Sequence, residues 1–332
     1  MRTARVIGDG ASFYHCISRI IDKQMRLNNN EKERFLKLMK KVAVFSGIRI
    51  LSYALMDNHI HLMFMVPEKR EFSEDEVIER IRVLYGDIRA DEISEELRYY
   101  HREGLESDAA ALMSKYTYRM HDLSQFMKTL MQRATMSYNG RHDRRGHLWE
   151  NRFKSILIEG RKNALATMSA YIELNAVRAG MVKLPEKYRF CSIGAAVSGD
   201  RSARDGITFL TKMMMGPQES WNAILKAYRM HVYTQAEAHT KKGKTIDKEK
   251  IAEVLEKGGK LSLAELLQCR VRYFTDGVVF GSHNFVEDFF KNNRDLFGVK
   301  RKTGARKPRF GGIGGNYTLR DLRKDAVSVS PG

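Results

Sequence analysis

The sequence predicts an α+β protein, in which a ferredoxin-like β-α-β-β-α-β sheet with one added helix is followed by a mostly α-helical C-terminal region. Short apolar runs, alternating or β-branched, predict the strands of the sheet, and longer segments with apolar residues at helical spacing predict its helices. Capping signals late in the chain, such as Ser262 with Glu265 and Ser282 before an apolar helix face, predict the helical region.

The first four elements follow from local signals. Residues 13–19 alternate loosely between apolar and polar types and predict a strand. A capping box that begins at Asn30 predicts a helix, which ends at Gly47. Residues 48–56 and 59–66 are apolar and flank an Asp-Asn turn, so they predict a hairpin of two strands.

The later elements complete the sheet and add one helix. Residues 122–138 show strong helical periodicity, and residues 153–159 predict a fourth strand. The added helix is predicted to start at Asn163, to run to about Ala179 and to end at Gly180.

An acidic insert at about residues 68–120 interrupts this order. Its segment 71–110 has thirteen acidic residues against five arginines, in a pattern that predicts one or two amphipathic surface helices. We therefore expect a first domain over residues 1–198 that contains the insert. A helical region over residues 199–298 and a basic tail over residues 299–332, expected to be disordered, would follow.

The formal net charge of +18 indicates a polyanionic partner, and nucleic acid is the leading candidate. No apolar run approaches the roughly 18 to 20 residues that span a bilayer, so no membrane partner is expected. Three scattered cysteines form no disulfide or CxxC pattern, and the basic start of the chain lacks the apolar core of a signal peptide. We expect a cytoplasmic, nucleoid-associated protein.

His59 and His61 lie two residues apart on a predicted strand, so both point to the same face of the sheet. Two imidazoles side by side can chelate one divalent ion. The alternative is that one or both histidines are structural, and the pair alone does not decide between these readings.

A polar face on the added helix changes this balance. Tyr171, Asn175 and Arg178 follow one another at helical spacing in an otherwise apolar segment. A phenol can attack a phosphate, an amide oxygen suits a hard divalent ion, and a guanidinium can hold a phosphate oxygen. In the alternative interpretation, Tyr171 has no catalytic role and is an amphipathic residue at the edge of the core.

Three segments, MDNHIHLMF, LWENRFKS and YIELNAVRAGMV, resemble in their joint order and spacing the single-tyrosine HUH transposases, which carry an IS200-like transposase domain. The likeness is greatest to the branch of REP-associated tyrosine transposases, and it covers roughly residues 10–195. It implies that His59 and His61 are metal ligands, that Asn175 is a third ligand, and that Tyr171 is the nucleophile.

The resemblance also implies a reaction and a substrate class. Tyr171 would attack a phosphorus of single-stranded, hairpin or palindromic repeat DNA, forming a 5′-phosphotyrosine and releasing a 3′-hydroxyl. Mg²⁺ or Mn²⁺ would polarise the phosphate. A second 3′-hydroxyl could reverse the step, so cleavage and strand transfer need no ATP. The sequence identifies no general base for Tyr171, and it leaves open whether the chain acts as a monomer or a homodimer.

The basic loop that precedes the fourth strand combines cations with aromatic rings, as a surface for single strands or hairpins requires. The alternative is a solvated charged loop with its tryptophan in the core. The candidate DNA-binding residues here are Arg141, Arg144, Arg145, Trp149, Arg152 and Lys154.

Other classes of function remain open at this point. The main alternative is a non-catalytic nucleic-acid-binding protein on a ferredoxin-like fold, although no RNP-type aromatic run is present. A catalytically silent relative and a phosphodiesterase in which water attacks are further alternatives. A covalent protein–DNA adduct would distinguish the transposase from all three.

Overall fold

The computed structural model describes residues 6–8, 10–234, 277–306 and 315–320. Six strands form one mixed sheet in the order β2-β3-β1-β4-β5-β6. The strands are β1 (Ser12–Arg19), β2 (Arg49–Leu55), β3 (His59–Val66), β4 (Lys154–Ile158), β5 (Val279–Gly281) and β6 (Tyr317–Leu319).

The first four strands have the predicted ferredoxin-like topology. Strand β1 lies between β3 and β4 and is antiparallel to both, while β2 and β3 form an antiparallel hairpin. The order β2-β3-β1-β4 is that of the split βαβ fold, so the predicted fold class is confirmed. Strand β5 extends the sheet by pairing parallel to β4, and β6 pairs antiparallel to β5.

Helices cover both faces of the sheet. On one face, Phe126 of α5 (Leu123–Arg141) meets Phe64 of β3 with ring centroids 4.7 Å apart. On the other face, Tyr171 of α6 (Lys162–Glu173) meets His61 of the same strand. The helices are α1 (Asn29–Ser46), α2 (Glu74–Tyr85), α3 (Asp87–Arg102), α4 (Glu106–Thr117), α5 (Leu123–Arg141), α6 (Lys162–Glu173), α7 (Asn175–Arg178), α8 (Ser192–Val197), α9 (Arg201–Met215), α10 (Trp221–Thr234) and α11 (His283–Asn292).

The starts of two helices differ from the sequence prediction. The side chain that caps α1 is Asn28, which accepts from the backbone N–H of Glu31, so the predicted start at Asn30 is wrong by two residues. Three consecutive asparagines are equally suited to capping, and periodicity alone does not choose among them. Helix α6 starts at Lys162 after Arg161 and has no side-chain cap, so the predicted cap at Asn163 is also wrong.

The added helix is also divided into two. Leu174 has φ −81° and ψ 0°, and it separates α6 from the single turn of α7. Gly180, with φ +72°, follows shortly after the end of α7, as predicted. The break therefore lies between Tyr171 and Asn175, two of the candidate site residues.

The acidic insert contains three helices, α2 to α4, where one or two were predicted. One face of these helices is buried, with Val77 and Ile81 on α2 and Ile93 and Leu97 on α3, and α2 packs on α1. The predicted amphipathic character is present, because apolar residues spaced four apart are enough to bury one side of a helix despite its many charges. The insert is therefore a packed layer of the domain.

The C-terminal region is mostly helical where the structure describes it, as predicted, but it also supplies β5 and β6. Ser282 caps α11 as expected by accepting from the N–H of Phe285, whereas Ser262 and Glu265 lie outside the described residues. Strand β6 lies within the segment for which disorder was expected, and Leu319 is fully buried. The expected disorder therefore does not hold for these residues.

Among the described helices, none combines the length and the hydrophobicity needed to cross a bilayer.

Candidate functional site

His59 and His61 project from the face of β3 opposite to Phe64, as the alternation of a strand requires. Their ring centroids are 5.1 Å apart and the rings are nearly perpendicular, with an angle of 83° between them. His59 is half-buried and His61 is 3% exposed. The predicted pairing of the two imidazoles on one face is therefore what the structure shows.

Tyr171 lies directly against this pair, although it is more than a hundred residues later in the chain. The centroids of the Tyr171 and His61 rings are 5.6 Å apart with the rings nearly perpendicular. The guanidinium of Arg178 lies over the Tyr171 ring, 4.1 Å from its centroid. Tyr171 is buried, with 3% of its surface exposed.

Asn175 is close to Tyr171, but its side chain is engaged within the helix. Its Nδ2 donates to the Tyr171 carbonyl over 3.1 Å, and its Oδ1 accepts from Arg178 over 2.7 Å. The oxygen predicted as a metal ligand therefore already has a charged donor. Arg178, predicted to hold a phosphate oxygen, here pairs with Asn175 and stacks on Tyr171.

The chemistry of the donor set fits a divalent ion in part. Burial lowers the pKa of the His61 imidazole well below its usual range, and the nearby rings of His15 and His59 lower it further. A neutral imidazole offers the lone pair that a metal requires. In the part of the chain that the structure describes, no group of three or more His, Cys, Asp or Glu side chains is arranged for a metal.

Two residues of β1 that the sequence analysis did not single out line the same site. His15 is fully buried, and its Nε2 lies 3.0 Å from Nδ1 of His61. Arg19 is exposed and lies opposite His59 in the antiparallel register. The alternation of β1 places both on one face, but only the pairing register shows that this face is shared with the histidines of β3.

Glu173 is the third residue that sequence reasoning missed. It lies two residues after Tyr171 and is fully buried, where its carboxylate accepts from the Ser52 hydroxyl, the Tyr228 hydroxyl and the Ile193 N–H. Burial raises the pKa of this carboxyl to about 7, against the lowering effect of these hydrogen bonds. An acidic residue within an otherwise apolar helix segment was the signal that could have identified it.

The basic loop connects α5 to β4, at the end of the sheet where Arg19 lies opposite His59. The backbone N–H of Glu150 donates to the carbonyl of Arg19 over 2.8 Å, which places the loop beside the residue that faces His59. Arg145, Arg152 and Lys154 are exposed here, as a DNA-binding surface requires.

Three other predicted DNA-binding residues are more constrained. Arg141 forms an ion pair with Glu31, which is itself buried, and this pair fixes the start of the loop against α1. Arg144 is half-buried. Trp149 is half-buried too, packs edge-on against Phe35 with centroids 6.0 Å apart, and donates from Nε1 to the Met131 carbonyl. Trp149 thus belongs mainly to the packing between α1 and α5.

The structure also shows a groove of about 710 Å³ on the side of the sheet that α5 covers, between α1, α5 and the insert. Its wall includes Arg141 and Trp149 together with further cations and rings, namely Arg34, Lys128, Arg133, Tyr118 and Tyr138. The cationic surface therefore continues from the loop onto the face opposite to Tyr171.

Comparisons with known proteins bear on this site. Residues 11–99 match the family model described as "Transposase IS200 like". The match confirms the family resemblance indicated by the sequence motifs, and it covers the strands that carry His15, His59 and His61 but ends before Tyr171. A comparison with curated protein sequences gives no match.

A comparison with solved structures finds the structure of a REP-associated tyrosine transposase bound to a REP hairpin. The sequence identity is 14% and the TM-score is 0.39, and the alignment covers 60% of this chain and 87% of the other.

Proposed function

We propose that this chain, whose residues 11–99 match the IS200-like transposase family, is a DNA transposase that cleaves and rejoins single-stranded DNA through a 5′-phosphotyrosine at Tyr171. The observation that carries the proposal is the contact between the Tyr171 ring and His61, with ring centroids 5.6 Å apart. The contact joins a nucleophile to an imidazole pair on the segment that matches the family. Hairpin or palindromic repeat DNA is the proposed substrate.

In the proposed reaction, Tyr171 loses its proton as its oxygen bonds to the scissile phosphorus. The bond from phosphorus to the 3′-oxygen of the preceding nucleotide breaks, and that oxygen takes up a proton and leaves as a hydroxyl, so protons balance. Burial beside His61 excludes bulk water from the nucleophile, which favours attack by the phenol over hydrolysis. A bound Mg²⁺ or Mn²⁺, held by His59 and His61, would polarise the phosphate and stabilise the leaving oxygen.

Asn175 would bind a metal more readily once Arg178 releases its oxygen, because the guanidinium donates to Oδ1 over 2.7 Å and its positive charge repels a cation. A phosphate oxygen is a stronger partner for a guanidinium than a neutral amide. We propose that DNA draws Arg178 from Asn175 to the phosphate, which frees the amide oxygen and uncovers the Tyr171 ring in one movement.

The proposed path of the DNA follows the exposed cations of the basic loop towards Arg19 and His59. Arg145, Arg152 and Lys154 would neutralise backbone phosphates. Arg141, Arg144 and Trp149 would support this surface from below, since their side chains are partly buried or paired.

The proposal is tested by incubating the full chain with labelled single-stranded hairpin DNAs, with and without Mg²⁺ or Mn²⁺, and separating the products on a denaturing gel. The hairpins come from repeats that flank the gene. A metal-dependent band of DNA joined to protein is expected. Cleavage without an adduct would make water the nucleophile, and binding without cleavage would favour the non-catalytic nucleic-acid-binding protein.

Replacing His59 with Ala should lower metal-stimulated cleavage by about a hundredfold or more, because the scissile phosphate loses electrostatic stabilisation in the transition state. DNA affinity, measured by fluorescence anisotropy, should change little, since His59 is half-buried and the cations of the loop are intact. His101→Ala is the matched control, because His101 lies on α3 in the insert. Cleavage by His59→Ala at the rate of the control would remove the metal assignment.

Replacing both Arg145 and Arg152 with Gln should make DNA binding less dependent on salt. Two lost phosphate contacts reduce the slope of log affinity against log salt by about 1.4 for single strands. The control is Lys212→Gln with Lys226→Gln, which makes the same charge change at exposed positions of α9 and α10. Equal slopes for the two double variants would remove the loop from the DNA path.

A further inference from the structure

The imidazoles of His15 and His61 share one hydrogen bond in the buried interior of the site. His15 Nε2 and His61 Nδ1 are 3.0 Å apart, and the rings are stacked with an angle of 17° between their planes. His15 is fully buried and His61 is 3% exposed, so water does not compete for these atoms. At this distance one nitrogen must carry the hydrogen and the other must accept it.

The hydrogen bond made by His59 illustrates the tautomer that a metal-binding histidine needs. Its Nδ1 lies 2.6 Å from Oδ1 of Asn58, an oxygen that can only accept. In the neutral ring, the hydrogen of His59 is therefore on Nδ1, and the lone pair is on Nε2. A histidine that binds a metal commonly donates its other ring N–H to a neighbouring acceptor, which fixes both the tautomer and the orientation of the ring.

We infer that His15 is a positioning residue for His61, in that its Nε2 accepts the Nδ1–H of His61 and leaves Nε2 of His61 with the lone pair that a divalent metal requires. This inference rests on the proposed function, because it assigns His61 to metal binding. The opposite arrangement would put the hydrogen of His61 on Nε2 and leave no lone pair on that nitrogen.

Different neighbours thus fix the tautomers of His59 and His61. Asn58, which precedes His59 in the chain, sets the tautomer of His59, whereas His15 on the adjacent strand sets that of His61. The edge of the His15 ring also faces Tyr171, with centroids 6.0 Å apart and an angle of 72° between the planes. His15 therefore restricts the position of His61 relative to the nucleophile as well.

The direct test is long-range ¹H–¹⁵N NMR of the imidazoles in the unaltered chain, labelled at histidine and free of metal and DNA. His61 is expected in the tautomer with hydrogen on Nδ1, with its signals assigned by their loss in His61→Asn. A His61 ring with hydrogen on Nε2 would overturn the inference. Because the measurement needs neither metal nor DNA, its outcome is independent of whether the chain forms an adduct.

A pair of variants tests the consequence for metal binding. His15→Gln places an amide oxygen near the position of the His15 Nε2 and keeps an acceptor, whereas His15→Leu fills similar space without one. Affinity for Mn²⁺, measured by calorimetry without DNA, should fall about 10- to 100-fold in His15→Leu and remain within a few-fold of the unaltered chain in His15→Gln.

Each other outcome has a definite meaning. Equal Mn²⁺ affinity in His15→Leu and the unaltered chain would reduce His15 to a packing residue and overturn the inference. Failure of the unaltered chain to bind Mn²⁺ would count against the metal in the proposed function, and the tautomer of His61 would then still decide the role of His15. Thermal melting of both variants identifies a loss of binding that is due to unfolding.

Discussion

Replacing Tyr171 with Phe is expected to abolish the covalent protein–DNA adduct, because the phenol oxygen is the only atom removed and it is the proposed nucleophile. The ring itself stays, so its contacts with His61 and with the Arg178 guanidinium are retained. Stability should therefore change by less than about 1 kcal/mol. The adduct is measured on a denaturing gel, and stability is measured by thermal melting of the same preparations.

The matched control is Tyr188→Phe. Tyr188 is also buried, and its hydroxyl donates to the carbonyl of Leu55, so the control removes a buried hydroxyl away from the site. It should keep the adduct while losing a small amount of stability. An adduct that persists in Tyr171→Phe would assign the nucleophile to another residue, and the reading of Tyr171 as a core-edge residue would then be correct.

The part of the site that depends on local geometry could be predicted from the sequence. Strand alternation alone places His59 and His61 on one face, and the hairpin that presents them follows from the Asp-Asn turn before His59. The contact between His61 and Tyr171 is different in kind, because no spacing rule relates residues so far apart. Only the family resemblance predicted it.

Other features could not be predicted, since they depend on pairing and on competition between partners. The contact of His15 with His61 requires the antiparallel register of β1 and β3, in which His15 lies opposite Met63. The pairing of Arg178 with Asn175 is one of several that the helix allows, and the sequence analysis expected a phosphate in that place. Strands β5 and β6 have three residues each, too few for an alternating pattern to show.

Glu173 links the helix of the proposed nucleophile to three neighbouring elements. Its carboxylate accepts from Ser52 of β2, from Tyr228 of α10 and from the backbone N–H of Ile193 in α8. All three donors are buried, so each would lose its acceptor without the carboxylate. This arrangement fixes α6 against the sheet and against the C-terminal helices at a point two residues after Tyr171.

Replacing Glu173 with Leu is expected to lower the free energy of unfolding by roughly 3 kcal/mol or more, since three buried donors lose their partner. Replacing it with Gln should have a much smaller effect. The amide oxygen can accept from the Ile193 N–H, and the amide N–H groups can donate to the two hydroxyls, which also act as acceptors. Denaturant unfolding of both variants measures the difference, and equal losses in Leu and Gln would show that the volume of the side chain matters more than its hydrogen bonds.

The comparison with Glu173→Gln also gives a dependence on pH. Burial raises the pKa of the Glu173 carboxyl to about 7, above the value near 4.5 expected in the unfolded chain. The folded state therefore holds the proton more tightly, so the contribution of this group is fully present below pH 4.5 and is lost as the pH rises through about 7. Relative to Glu173→Gln, which does not titrate, the unaltered chain should lose up to roughly 3 kcal/mol of stability between these limits. Urea unfolding of both proteins from pH 5 to pH 8.5 measures this loss, and a stability difference that stays constant over that interval would mean that Glu173 is ionised throughout.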